Sequence, residues 1–229
     1  MSHVISPPPV PSVAVYGEER RFPVRRIFCV GLNYAEHARE MGKEPGAEPP
    51  FFFTKPADAV IADGAIIPFP SLTSSLHHEI ELVAALQSGG ADIAAERALD
   101  CVYGYAAGID LTRRDMQSAA RKAGGPWDMS KGFDNSAPIG AIRKASEIGH
   151  PARGRIALSV NGALRQQGDL SDMIWSLPQI IAALSTHVAL APGDLIFTGT
   201  PAGVGALEPG DVAAGEIEGV GTVRVGIAR

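Results

Sequence analysis

The chain has 229 residues, 45% hydrophobic and 20% charged, with 25 acidic against 20 basic side chains for a formal charge of −5. That length supplies one sizeable core without requiring two domains, and no Lys/Arg block is long enough to form a stripe for nucleic acid or an anionic membrane surface. Two cysteines exclude a disulfide framework, while 26 glycines and 18 prolines imply many turns between short strands.

Residues 1–12, with Pro7-Pro8-Pro9, read as an extended arm. They carry neither the charged nor the apolar region of a secretory leader, and no apolar run approaches membrane-spanning length. A cytoplasmic protein is expected. Val13–Tyr16 and Val24–Val30 have the content of strands. Tyr34–Met41 reads as a short helix with Asn33 as N-cap, Glu36 completing a pattern like a capping box, and Gly42 ending it. A polar loop over Lys43–Pro50 leads to Phe51-Phe52-Phe53-Thr54-Lys55-Pro56. Strands follow over His78–Leu86 and Val102–Ile109, with a helical turn at Ala94–Ala98 between them and an amphipathic helix over Leu111–Lys122 after them. Later strands are Ile156–Val160, Leu195–Thr198 and Thr222–Ile227, with a helix around Leu177–Leu184. Asn161-Gly162 between apolar runs signals a hairpin. Cys29 and Cys101 sit in apolar stretches, where a buried thiol is expected.

The run His77-His78-Glu79-Ile80-Glu81-Leu82 carries the most chemistry. Residues two apart on a strand share a face, so Glu79 and Glu81 converge while Ile80 and Leu82 fill the other side. Adjacent carboxylates repel, and a hard divalent cation relieves that repulsion. By spacing alone a solvated strand is the better account of the pair, and helix capping is a sufficient role for Asp110. His77 and His78 point opposite ways on a strand and cannot both join one metal triad. His37 and Glu40, at i and i+3, share a helix face; alone they read as a surface charge ladder with Glu36 and Arg39. Lys131 alone reads as solvated, and Arg114 and Gln117 as a polar helix face. The segment Gly199–Gly205 is glycine-rich but lacks the Gly-Lys-Ser/Thr ending of a phosphate loop.

Together these segments resemble the fumarylacetoacetate hydrolase family, and within it the small single-domain acylpyruvate hydrolases. The landmarks are Cys29-Val30-Gly31-Leu32-Asn33-Tyr34 with His37, Phe53-Thr54-Lys55-Pro56, His77 to Leu82, Gly108-Ile109-Asp110-Leu111-Thr112-Arg113-Arg114-Asp115, Lys131-Gly132-Phe133-Asp134, and Thr198-Gly199-Thr200-Pro201-Ala202-Gly203-Val204-Gly205. The match runs from about Arg25 to near the end. It departs from the larger members in lacking their separate N-terminal domain, and from the commoner Ala-Lys-Ser in reading Met129-Ser130-Lys131-Gly132.

The resemblance implies an α+β, strand-rich fold: a mixed β-sandwich roll with a few short helices, dividing into an arm and first strand over 1–24 and a single catalytic domain over 25–229. It implies a homodimer acting on a small keto acid, and Mg²⁺ or Mn²⁺ on Glu79, Glu81 and Asp110. It places His37 as base, Glu40 as its orienting partner, Lys131 as oxyanion stabiliser, and Arg114, Gln117, Lys55 and Thr200 against substrate. The reaction implied is hydrolysis of the C–C bond of an acylpyruvate, foremost fumarylpyruvate to fumarate and pyruvate. Arg113, Arg121 and Lys122 are candidate partners for a distal carboxylate. Two alternatives use the same residues: decarboxylation or keto–enol tautomerisation of oxaloacetate-like acids, and binding of a metal–organic acid complex without turnover.

Overall fold

The computed structural model describes residues 3–46 and 49–229, so parts of the expected arm over 1–12 and of the expected loop over 43–50 lie outside the described residues. Ile80–Leu86 and Val102–Ile109 are nearly unbroken apolar runs, and every residue from Ile80 to Leu86 is buried. Such runs suit strands covered on both faces. They pair antiparallel inside an eight-stranded sheet ordered Phe51–Lys55, Arg26–Gly31, Asp194–Phe197, Ile80–Leu86, Val102–Ile109, Ala137–Ile139, Val60–Ala62, with Arg143–Lys144 also beside Val102–Ile109. Arg26–Gly31 runs parallel to Asp194–Phe197, and Ala137–Ile139 to Val60–Ala62.

The two-residue alternation of side chains divides this sheet between two cores. Ile80, Leu82, Ala84 and Leu86 pack with Ile156, Leu158, Val223 and Val225 of a five-stranded sheet ordered Ala163–Asp169, Arg155–Val160, Val212–Ile217, Gly221–Ile227, Ala65–Ile67. Val83 and Ala85 face the other way, onto Val13, Val15, Phe22 and Val24. A three-stranded sheet, Thr112–Arg113, Leu76–His78 and Gly205–Leu207, brings the chain back past the acidic run. Among the described residues the α-helices are six and short: α1 Ala35–Glu40, α2 Ala95–Ala98, α3 Arg114–Ala123, α4 Asp128–Lys131, α5 Ala145–Ile148 and α6 Leu177–His187. The result is the expected α+β, strand-rich class of mixed sheets. No helix of the described residues is long and apolar enough to cross a membrane. Cys29 and Cys101 are free and buried.

Val102–Ile109 forms with the expected bounds, and Asn161 and Gly162, at φ 52° and 82°, make the expected hairpin. Three expectations need correction. The strand over His78–Leu86 is interrupted at Glu79, where the chain passes from one sheet to another. The helix over Leu111–Lys122 begins only at Arg114, because Thr112 and Arg113 pair as a strand with His77 and Leu76. Asn33 does not cap α1, whose N-cap position is Tyr34 without a side-chain bond. Its amide instead donates to Thr198 O (2.8 Å) and Trp175 O (3.0 Å) and accepts from Trp175 N (2.7 Å), tying three segments together.

Candidate active site

The sheet junction positions the acids. Glu79 sits between Leu76–His78 and Ile80–Leu86, and Asp110 follows directly on Val102–Ile109, its N–H donating to Glu79 O at 2.8 Å. Glu81 stands opposite Gly108, where a Cβ would come within 2.6 Å of Val83 Cγ2 and 2.8 Å of the Phe197 ring. Glycine there permits close packing behind the acid. One carboxylate oxygen from each of Glu79, Glu81 and Asp110 lies within 4.8 Å of the others, and all three residues are buried.

Three cations attend these acids. Lys131 Nζ donates to Glu79 Oε2 (2.7 Å), Asp110 Oδ2 (2.6 Å) and Thr112 Oγ1 (2.7 Å), which uses all three of its hydrogens. Arg114 bonds Glu79 Oε1 and, on its other side, Gln117 Oε1. Lys55 Nζ lies 2.8 Å from Asp110 Oδ1 but at an angle that leaves this oxygen without a hydrogen-bond donor. Burial favours a neutral Glu79 more than any one neighbour does, yet Lys131, Arg114 and His37 together hold its carboxyl well below the usual range. Glu81 goes the other way. Burial, then the Asp110 and Glu79 carboxylates, push its carboxyl well up, and a bond from Gly199 N (2.7 Å) only partly offsets them. Burial lowers Lys131, but Asp110 and Glu79 outweigh it and hold its ammonium above the ordinary value.

A divalent cation fits this set: three hard oxygen donors, one buried acid that meets no cationic side chain, and one carboxylate oxygen without a donor.

Above the acids lies a cavity of about 500 Å³. His37, Glu79, Glu81, Arg114, Gln117, Lys131 and Thr200 line it, and Phe51, Phe53, Trp127, Ile174 and Trp175 supply an apolar wall. His37 is buried on α1, its Nδ1 3.0 Å from Glu40 Oε2, while Glu40 Oε1 accepts from Gly203 N at 3.3 Å. With Nδ1 engaged, Nε2 is the ring nitrogen left free on a side chain that lines the cavity. His77 accepts from Arg114 Nε at 3.4 Å, and burial followed by Arg114 pulls it down to about 4, so it remains neutral. His78 turns away to Gln166.

Of the predicted site residues, Glu40, Lys55 and Asp110 lie off the cavity lining. Lys55 is buried behind Asp110, with Nζ on the carbonyls of Leu111 and Lys131. Among the candidate partners for a distal carboxylate, Arg121 lines the cavity and also donates to Met41 O at 3.3 Å. Arg113 is turned over the Phe133 ring, 4.4 Å from its centroid, and Lys122 is off the lining. The sequence reading missed Gln166, which holds Thr200, and the Trp127 and Trp175 walls. A buried glutamine on an otherwise exposed strand carries no periodic signal, and tryptophans in loops have none either.

Comparison with known proteins adds to this geometry. The family model described as Fumarylacetoacetate (FAA) hydrolase C-terminal matches residues 26–228. The crystal structure of fumarylpyruvate hydrolase from Pseudomonas aeruginosa in complex with Mn²⁺ and pyruvate superposes with a TM-score of 0.97 at 49% identity, covering 99% of each chain. A rat protein named oxaloacetate tautomerase FAHD1, mitochondrial, is 41% identical over 205 residues, 90% of this chain and 92% of its own. A Dictyostelium discoideum protein named oxaloacetate decarboxylase, mitochondrial, is 40% identical over 199 residues, 86% of this chain and 91% of its own.

Proposed function

The chain belongs to the fumarylacetoacetate hydrolase family, and from that premise we propose that it is a divalent-cation-dependent hydrolase that cleaves the C–C bond of an acylpyruvate, best fumarylpyruvate to fumarate and pyruvate. The observation that carries this reading is the placement of the His37–Glu40 pair across one cavity from the buried triad of Glu79, Glu81 and Asp110. The likeness to a structure that holds Mn²⁺ and pyruvate supports it.

Glu79, Glu81 and Asp110 would hold Mg²⁺ or Mn²⁺, which would supply Lewis-acid stabilisation for negative charge on the pyruvoyl oxygens. The chain's own groups carry the proton traffic. Water adds to the C4 carbonyl as its proton passes to His37 Nε2, and Glu40 orients the imidazolium through Nδ1. The C3–C4 bond then breaks, its electron pair leaves on the pyruvate fragment, and His37 returns the proton to C3. Arg114, Gln117 and Thr200 line the path of the substrate's oxygens. Lys131 balances the acids; to hold the C4 oxyanion it must release one of its three present acceptors. Lys55, behind Asp110, acts on charge balance rather than on substrate.

The fumaryl preference is supported by α3. Arg114, Gln117, Ser118 and Arg121 form one stripe along it, and the seven residue steps from Arg114 to Arg121 span about 10 Å. An extended seven-carbon diacid is of similar length, roughly 8 Å between its end carbons. The same reading carries a homodimer in the cytoplasm, with residues 25–229 as one catalytic unit behind the segment 1–24.

A second reading, interconversion of oxaloacetate tautomers, is supported by the 41% identity to the rat relative. It needs the acid triad but no attacking water. The test is direct: the Mn²⁺-loaded protein should release pyruvate from fumarylpyruvate at roughly 1 s⁻¹ or faster. Absence of pyruvate, with faster enol–keto exchange of oxaloacetate, selects the second reading.

A further inference from the structure

Gln166 is fully buried, yet it stands on Ala163–Asp169, a strand whose neighbours Arg165 and Gln167 are exposed. The cause is a β-bulge. Leu158 pairs with Gln166 but Ser159 pairs with Leu164, so Arg165 is an extra residue that re-aims the side chain after it. The loop that carries Thr200 lies directly on this bulge: a Cβ at Gly203 would meet Arg165 O at 2.3 Å, and one at Gly168 would meet Pro201 Cβ at 2.9 Å.

The amide of Gln166 uses every hydrogen-bonding position it has. Oε1 accepts from Ile80 N (3.1 Å) and faces His78 Nδ1 at 2.9 Å; Nε2 donates to Pro201 O (2.9 Å) and Thr200 Oγ1 (2.8 Å). Its orientation is not open to choice. A backbone N–H can only donate and a proline carbonyl can only accept, so a flipped amide would set donor against donor and acceptor against acceptor. It follows that Nε2 donates to the Thr200 hydroxyl, whose own proton has no acceptor among the described residues. Thr200 is buried and lines the cavity that Glu81 also lines, one residue after the Gly199 N–H that donates to Glu81.

We propose that Gln166, a positioning residue that touches no substrate, fixes the polarity of the Thr200 hydroxyl so that it acts as a dedicated donor to an organic oxyanion in the cavity. This rests on the reading of the cavity as an organic-acid site, not on which bond is cleaved. Two strands and a loop thus converge, through one amide, on the direction of a single O–H bond.

The test uses the full chain with Mn²⁺ and oxalate as probe, by titration calorimetry. Thr200→Val and Gln166→Met should each weaken oxalate by roughly tenfold, with Mn²⁺ affinity unchanged, and the double variant should bind no more weakly than Thr200→Val alone. Thr200→Ser should bind within about threefold of the parent, since it keeps the hydroxyl. Losses that multiply to about a hundredfold in the double variant, or parental binding by either single variant, would overturn the proposal. Should Gln166→Met not fold, Gln166→Glu keeps the volume and the acceptor edge. Its ionised side chain can only accept, so it draws the Thr200 O–H into a hydrogen bond of its own, and oxalate binding relative to the parent at the same pH should be lost near neutrality and recovered as that carboxyl protonates. A ratio that is constant across pH would sink the idea. Pyruvate release from fumarylpyruvate is a separate readout, so hydrolysis can fail while this coupling stands, and the reverse.

Discussion

On its strand side the cavity is floored by Glu79, Glu81 and Asp110, which stand at the ends of fully buried strands and are met by fixed donors and cations. On its helix side, His37 and Glu40 ride on α1, six residues without a side-chain cap. Asn33 anchors the entry to this helix with three hydrogen bonds, but past His37 the described anchors are two single contacts of 3.3 Å, Glu40 to Gly203 N and Arg121 to Met41 O. The contrast teaches a division of labour. Charges that must face one another without water are set on sheet ends, where reorganisation is costly, whereas the pair proposed to carry the proton is set on a short helix with fewer polar ties.

The sharpest way to break that contrast is at the floor. Glu81→Gln should lower turnover roughly 10³-fold or more, yet leave thermal unfolding within about 5 °C of the parent. No cationic side chain loses its partner, and repulsion with Asp110 and Glu79 is relieved. A collapsed fold would show that the floor is held by charge rather than by strands. Next in size, His37→Ala should cost about 10²–10⁴ in hydrolysis while leaving metal-driven tautomer exchange of oxaloacetate nearly intact; equal loss of both would put the helix side on a level with the floor. Arg121→Ala should raise KM for fumarylpyruvate about tenfold, with acetylpyruvate, which lacks the distal carboxylate, unaffected. A uniform rise would mean that its bond to Met41 O positions α1 instead.

The smallest effect concerns the turn that leads into the helix stripe. Burial pushes the Asp115 carboxyl up, but bonds from Thr73 Oγ1 (2.6 Å), Ser74 N (2.9 Å) and Met116 N (2.8 Å) outweigh it and hold it below the usual aspartate range. A depressed folded-state value stabilises the protein above the unfolded-state pKa and fades as the pH falls through the folded one. Asp115→Asn should therefore lower stability at pH 7 by a fraction of a kcal/mol, about 0.5 after solvent screening, and by nearly nothing at low pH, by urea midpoint.

What sequence could convey was governed by how local the cause is. Val102–Ile109 and the Asn161-Gly162 hairpin depend on neighbouring residues alone and were legible to the residue. The start of α3 was not, since Thr112 and Arg113 follow a helical pattern but are claimed by a strand partner some thirty-five positions away. Asn33 has the chemistry of a cap and is used for bridging, because the segments at 175 and 198 arrive beside it. The convergence of Glu79 and Glu81 could be read from a two-residue spacing, although the chain changes sheets between them. The burial of Lys55 and Gln166 could not, since each depends on where other elements pass.

The ammonium of Lys131 among the acids bears on how such a protein matures. A site built from carboxylates alone could not close until its ion arrived, and folding would wait on metal supply. Here two of the three acids share an internal counterion, and Lys55 and Arg114 attend the same pair. The polypeptide should therefore fold before any cation is captured, and chelation should remove activity while leaving the fold in place.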